Sequence, residues 1–345
     1  MGSRITMAEL ADGAADAPLL DDTGRLVDPC YAVDLAAEPT DPDTVDRAVA
    51  AALRCDRLLI GLADGHTLDA GARHLAKAMD LTLAPRGLAV GSAFVCGELE
   101  EVTDAVASAP QAALTLGQVL RATEELSASA ALDVESLAYS TLLGGAEFRR
   151  WLTERGPRPA PPPAEQPVLI ERAGEHLTIT LNRPERRNAY GREMRDALVD
   201  ALRVAAMDDS VRRVLLTGEG PDFCSGGDLD EFGSTPDPAT AHFLRTAAGA
   251  GLLLDRVAAK VTVEVHGACV GAGIELPAFA ARVRAAQGTT FRLPEVSMGL
   301  IPGAGGTVSI PRRIGRWRTL WLALTGHRLD ARTALSWGLV DAVAE

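Results

Sequence analysis

Two glutamates lie in surroundings that ordinary surface acids avoid. Glu275 belongs to the run His266-Gly267-Ala268-Cys269-Val270-Gly271-Ala272-Gly273-Ile274-Glu275-Leu276, and Glu295 to Phe291-Arg292-Leu293-Pro294-Glu295-Val296. An acid inside an apolar stretch costs folding free energy unless it is paired or does chemistry. In low-polarity surroundings a carboxyl keeps its proton to higher pH, which suits it to general acid–base transfer near neutrality. Taken alone, Glu275 reads equally well as a first-turn acid that favours its own helix.

Glycine-rich turns accompany these acids. In Phe223-Cys224-Ser225-Gly226-Gly227-Asp228-Leu229, small residues and paired glycines let main-chain N–H groups approach a ligand and point at developing negative charge. The Gly271-Ala272-Gly273 turn opens a helix whose first amides have no intrahelical acceptor. Gly299-Leu300-Ile301-Pro302-Gly303-Ala304-Gly305-Gly306-Thr307 begins another helix in the same way. Leu181-Asn182-Arg183-Pro184-Glu185-Arg186-Arg187-Asn188-Ala189 leaves a strand through a proline turn and, by itself, is an ordinary arginine-bearing loop.

The elements that must position these groups form two folded regions. Six prolines between Gly156 and Pro167 forbid helix and predict an extended, semi-rigid linker over 156–167. Before it, residues 1–25 are Asp- and Ala-rich and read as a loosely ordered leader. Residues 26–155 alternate strand and helix: Tyr31–Leu35, Arg57–Leu62 and Gly87–Val95 as strands, Thr44–Arg54 and Leu68–Met79 as helices. From Gln111 to Leu152 the pattern is entirely helical and needs a surface to pack on. After the linker, Val168–Ile170 and Leu177–Leu181 read as a hairpin and Glu193–Ala206 as an amphipathic helix. Val211–Thr217 and Val261–Val265 read as further strands in a repeating ββα rhythm.

Composition bounds the partners. A net charge of -13 provides no general basic surface, which argues against nucleic acid or an anionic membrane as main partner. Lys77 and Lys260 are the only lysines, a bias that a GC-rich coding background accounts for. Five scattered cysteines without a CxxC pair oppose a disulfide framework or zinc site and fit a reducing cytoplasm. No apolar run reaches membrane-helix length, and the N-terminus shows no signal-peptide core. The opening Met1-Gly2-Ser3-Arg4-Ile5-Thr6 formally matches a myristoylation pattern and reads as chance. The six histidines, His66, His74, His176, His242, His266 and His327, show no ligand spacing and read as structural or surface residues.

Five motifs in order, LNRPERRNA, FCSGGDL, GACVGAGIEL, FRLPEVSMGLIPGAGG and TGHRLDARTALSWGLVDAV, make the region 168–345 resemble the enoyl-CoA hydratase/isomerase (crotonase) superfamily. The resemblance implies an α/β chain: a crotonase-like stacked ββα superhelix in the C-terminal half, with a smaller α/β plus helical region before it. It implies that the Gly227 and Ala272 N–H groups form an oxyanion hole and that Glu275 and Glu295 are the acid/base pair. It also implies that the loops holding Arg186, Arg187, Ser225, Gly226, Asp228 and Leu229 take the nucleotide end of coenzyme A. Coenzyme A would be part of the substrate, with no further cofactor or metal, and a homo-oligomer, trimer or hexamer, is the family's habit.

Two departures stand against the family pattern. The sequence stops after VDAV, where relatives continue into helices that cover the site. The segment about 111–155, including LDVESLAYSTLLGGAEFRRWL, resembles those helices, while Tyr31–Ser108 looks like a degenerate copy of the α/β core without its motifs. A non-catalytic first half that lids the second is therefore expected. Ala281 stands where many relatives have an aspartate, and Ser309-Ile310 where a more polar pair is common. The expected activity is enoyl-thioester hydration; the alternatives are an isomerase or other enolate enzyme of secondary metabolism, on CoA or a carrier protein, and a silent acyl-CoA binder.

Overall fold

The computed structural model describes residues 3–35, 41–63, 68–85, 87 and 91–344. His66 and the Met1-Gly2 start of the myristoylation pattern lie outside them, as do residues 88–90 of the expected strand over 87–95.

The first half carries a five-stranded sheet whose order follows the chain: Ser3–Thr6, Cys30–Asp34, Leu58–Leu62, Leu81–Leu83 and Phe94–Val95, all parallel. All five residues of Leu58–Leu62 are buried, as a strand covered on both faces requires. Alternation sends Tyr31, Val33 and Leu59 to one core and Ala32, Leu58 and Ile60 to the other. On the first side lie the helices Pro42–Arg54 and Ala70–Ala78, capped by Asp41, which accepts from Thr44 N at 3.0 Å, and Asp69, which accepts from Ala72 N at 2.7 Å. Among the described residues this sheet has no hairpin, whereas the sheet of the second half begins with one.

The leader is corrected. Residues 3–6 form the edge strand, and Met7–Ala11 is a helix closed by a capping box between Thr6 and Glu9. Ile5, Met7 and Leu10 are buried. The buried Arg57 guanidinium donates to the carbonyls of Ala15 (3.2 Å), Pro18 (2.8 Å) and Asp28 (3.0 Å). Composition misleads here because the holding contacts come from distant residues. The strand expected over 87–95 is limited, among the described residues, to Phe94–Val95.

Four helices follow, Leu99–Ser108, Pro110–Ala122, Ala128–Leu143 and Ala146–Arg155. They do not stand apart. Their apolar residues, among them Leu116, Val119, Leu142 and Phe148, belong to one continuous core with Leu216, Ile274 and Leu300 of the second half. Polar contacts cross the same junction: buried Asp80, which Arg121 of its own half also faces at 3.4 Å, lies 3.8 Å from Arg316, and Trp317 Nε1 donates to Met79 O at 3.0 Å.

Residues 156–167 carry no helix or strand, and they lie against the second half: Ala164 N donates to Glu193 Oε2 at 2.8 Å, and Arg183 donates to Pro162 O. The second half then builds a six-stranded sheet in the order Ala342–Val343, Arg282–Ala285, Val261–Val265, Arg213–Gly218, His176–Leu181, Val168–Ala173. Only the last two pair antiparallel. Helix Arg192–Met207 buries Met194, Leu198 and Leu202 of the expected stripe, while Ala205 is buried in place of the expected Ala206, which is exposed. A smaller sheet of Ala268–Val270, Thr290–Arg292 and Leu329–Asp330 forms the second layer, and the site is built beside it. Among the described residues, no helix is long and apolar enough to cross a membrane.

Candidate active site

Strand Val261–Val265 ends at His266, and the chain re-enters as Ala268–Val270 before turning at Gly271. Cys224 pairs in parallel with Cys269, with Val270 N donating to Cys224 O at 3.0 Å and Cys224 N to Ala268 O at 3.4 Å. On its other side the same segment is held by Tyr190, whose N–H donates to Gly226 O at 2.7 Å. This double pairing sets Gly227 and Ala272 on the wall of one cavity of about 650 Å³. Among the described residues neither amide donates to any acceptor, so both are available to a ligand oxygen.

Two glycines make the approach feasible. Gly271 sits at φ 49°, and a methyl on it would come within 2.5 Å of Glu295 Oε1 and 3.6 Å of Glu275 Oε1. The two carboxyls therefore flank the same small volume. A methyl on Gly273 would lie 2.2 Å from Cys224 O. We expect Gly273→Ala to force the two segments apart and move the Ala272 amide. A displacement on the order of 1 Å costs roughly 100-fold, read as kcat/KM with circular dichroism confirming the fold.

Glu275 is buried one turn beyond Ala272. Its Oε2 accepts from Ala304 N at 2.7 Å and Gly306 N at 2.9 Å, so any proton it carries sits on Oε1, the oxygen beside Gly271. Ser309, a departure from the family pattern, donates its hydroxyl to Glu275 O at 2.6 Å. Ala281, the other departure, is exposed and donates its N–H to Ala258 O, away from the cavity. Glu295 is half-buried as a residue, yet its Oε2 is out of contact with solvent and has no hydrogen-bond partner. Burial pushes both carboxyls up, Glu295 to about 8 and Glu275 well above the usual range, with the charges of neighbouring glutamates adding to the effect. At neutral pH the pair keeps at least one proton.

The loops expected to meet coenzyme A carry ion pairs of their own. The Arg186 guanidinium donates through Nε and one terminal nitrogen to Asp228 (2.7 and 3.1 Å) and Asp230 (2.8 Å), and the Asp228 carboxylate is buried. Two acids two residues apart on one loop neutralise this arginine, a contact its own motif does not announce. Asp228 still lines the cavity, whereas Arg186, Arg187, Ser225, Gly226 and Leu229 do not. Ser225 N donates to Arg187 O at 2.9 Å, so that residue serves to join the two loops. Arg187, its side chain 70% exposed and 3.7 Å from Asp222, is the cation of the pair that faces solvent.

Sequence reasoning missed the residues that the first half brings. Glu135 and Tyr139, both on helix Ala128–Leu143, line the same cavity as Glu275 and Glu295. The signal was present: Glu135 falls four residues after the buried Ala131, on the stripe of the helix that faces inward. Phe148, Trp151 and Phe232 form a chain of ring contacts, each 5.9 Å between centroids, on the same side.

The fold and this cavity define a stacked α/β class in which a buried acidic pair faces two unpaired main-chain amides. A family model described as enoyl-CoA hydratase/isomerase matches residues 172–345. Among curated relatives, 1,2-epoxyphenylacetyl-CoA isomerase of Escherichia coli (strain K12) is 38% identical over 173 residues, which is 49% of this chain and 66% of that protein. The 2,3-dehydroadipyl-CoA hydratase of the same organism is 34% identical over 176 residues, 51% of this chain and 68% of its own. A crystal structure of enoyl-CoA hydratase from Thermoplasma volcanium GSS1 is 34% identical, with a TM-score of 0.48, covering 52% of this chain and 72% of that one. The chain belongs to the enoyl-CoA hydratase/isomerase family. It spans about two thirds of the length of these relatives, and residues before 172 lie outside the family match.

Proposed function

We propose that this protein catalyses the reversible hydration of a 2-enoyl-CoA thioester. The observation that supports the reading is the meeting of Glu275 and Glu295 on one cavity with the free amides of Gly227 and Ala272. Addition across C2–C3 requires one carboxylate to take a proton from water and one carboxylic acid to deliver a proton to C2. A pair that keeps a proton at neutral pH supplies both forms. As the hydroxyl bonds to C3, charge moves onto the thioester oxygen, and the two amides stabilise it where it appears. The exposed Arg187 is the cation of the expected set offered to the coenzyme A phosphates.

The test is to mix the full-length protein with crotonyl-CoA and with longer and aromatic 2-enoyl-CoA and carrier-protein thioesters, following the conjugated thioester absorbance and the product mass. Hydration bleaches the absorbance and adds one water to the mass. Bleaching with no change of mass identifies a double-bond isomerase working through the same enolate. Binding without either change identifies a non-catalytic acyl-thioester protein and ends the proposal.

A further inference from the structure

Four consecutive main-chain N–H groups in the turn 304–307 are divided between two carboxylates from opposite halves of the chain. Glu275 Oε2 takes those of Ala304 and Gly306. Glu135 takes the alternate pair, Oε1 from Gly305 N at 2.8 Å and Oε2 from Thr307 N at 2.9 Å, and Oε2 also accepts from the Thr307 hydroxyl at 2.7 Å. Glu135 is 2% exposed and comes from helix Ala128–Leu143, 170 residues away from Gly305.

These contacts divide the charge among the three acids. Both oxygens of Glu135 accept hydrogen bonds from donors, which suits a carboxylate and leaves its ionised form satisfied. Glu295 Oε2 is buried without a partner, and Glu275 Oε1 looks toward the cavity, so each of those has an oxygen that a proton can occupy. We propose that Glu135 is the anionic member of a three-carboxylate site, a positioning residue that clamps the 304–307 turn under Glu275 and holds one proton on the reacting pair; this rests on the acid–base reading of that pair. The charged and titratable groups around Glu135 agree. Arg245, from helix Pro238–Ala248, lies over the Tyr139 ring with its carbon 4.4 Å from the centroid and favours the Glu135 anion. His242 on that helix contacts Ser136 at 3.0 Å. Tyr139, Glu275 and Glu295 complete the set. Burial raises Glu135 too, and the Thr307 and Gly305 donors and the Arg245 charge work against that rise.

The experiment is infrared spectroscopy of the protonated-carboxyl band in the whole protein at neutral pH, where solvent-exposed acids are ionised. The Glu275→Gln/Glu295→Gln double variant loses the band, because the Glu135 carboxylate left behind carries no proton. A band that persists in the double variant and vanishes when Glu135→Gln is added places the proton on Glu135 and overturns the proposal. In the pH profile of kcat, Glu135→Gln removes a neighbouring negative charge, so the alkaline limb moves to lower pH, while Glu135→Asp leaves it in place and lowers kcat. A folded Glu135→Gln protein with an unmoved limb also overturns it. The infrared comparison needs no turnover, so it stands even if the protein proves to lack hydratase activity.

Discussion

Glu275→Gln and Glu295→Gln each lower kcat/KM by roughly 100- to 10,000-fold, the range for loss of a placed proton donor or acceptor. The loss should fall on kcat more than on KM, because an isosteric amide leaves the cavity its shape. In Glu275→Gln the carbonyl oxygen can still accept from Ala304 and Gly306, so the turn is held and only the exchangeable proton at the cavity is lost. The double variant should be little worse than either single one, since the two carboxyls act as one unit. Wild-type activity should decline as pH rises through the raised value of the pair, near 8 for Glu295, since the acid form is then lost. Steady-state kinetics across pH with the best thioester of the panel provide the check. Full turnover in both single variants would remove the acid–base reading.

Removal of residues 1–160 should abolish activity altogether, the second large effect. The fragment would lose Leu116, Leu142 and Phe148 from a core shared with Leu216, Ile274 and Leu300, exposing apolar surface that is dry in the whole chain. It would also strip Glu135 from three donors, each left unsatisfied at a cost of about 1–3 kcal/mol. Size-exclusion chromatography and calorimetry should show an aggregated or poorly cooperative fragment, and the thioester assay at least a roughly 100-fold loss, as for a misplaced turn. A monodisperse fragment with full turnover would show that the first half is an appendage.

How much of this was legible beforehand follows the range of the interactions. Helix Arg192–Met207, strand Val261–Val265 and hairpin Val168–Leu181 could be read from apolar period and turn chemistry, because those signals lie within a dozen residues. The edge strand Ser3–Thr6 could not, since its order comes from pairing with a strand at Cys30–Asp34, nor could the loop at Ala15 and Pro18, held by an arginine at position 57. The pairing of Arg186 with Asp228 and Asp230 was hidden for the same reason, as two loops must first be brought together by the Tyr190–Gly227 main-chain pairing.

By itself, the order of residues determined the two glutamates, the glycine turns that allow main-chain amides near a ligand, and the proline-rich break between the halves. These follow from what each side chain can tolerate: an acid in apolar company, a φ of 49° at Gly271, an absent N–H at proline. The tertiary structure alone decided which oxygens are held and which are free, how far burial lifts each carboxyl, and that a third acid from another helix shares their turn. Such properties depend on solvent exclusion and on donors up to 172 residues away, and no local window of sequence contains them.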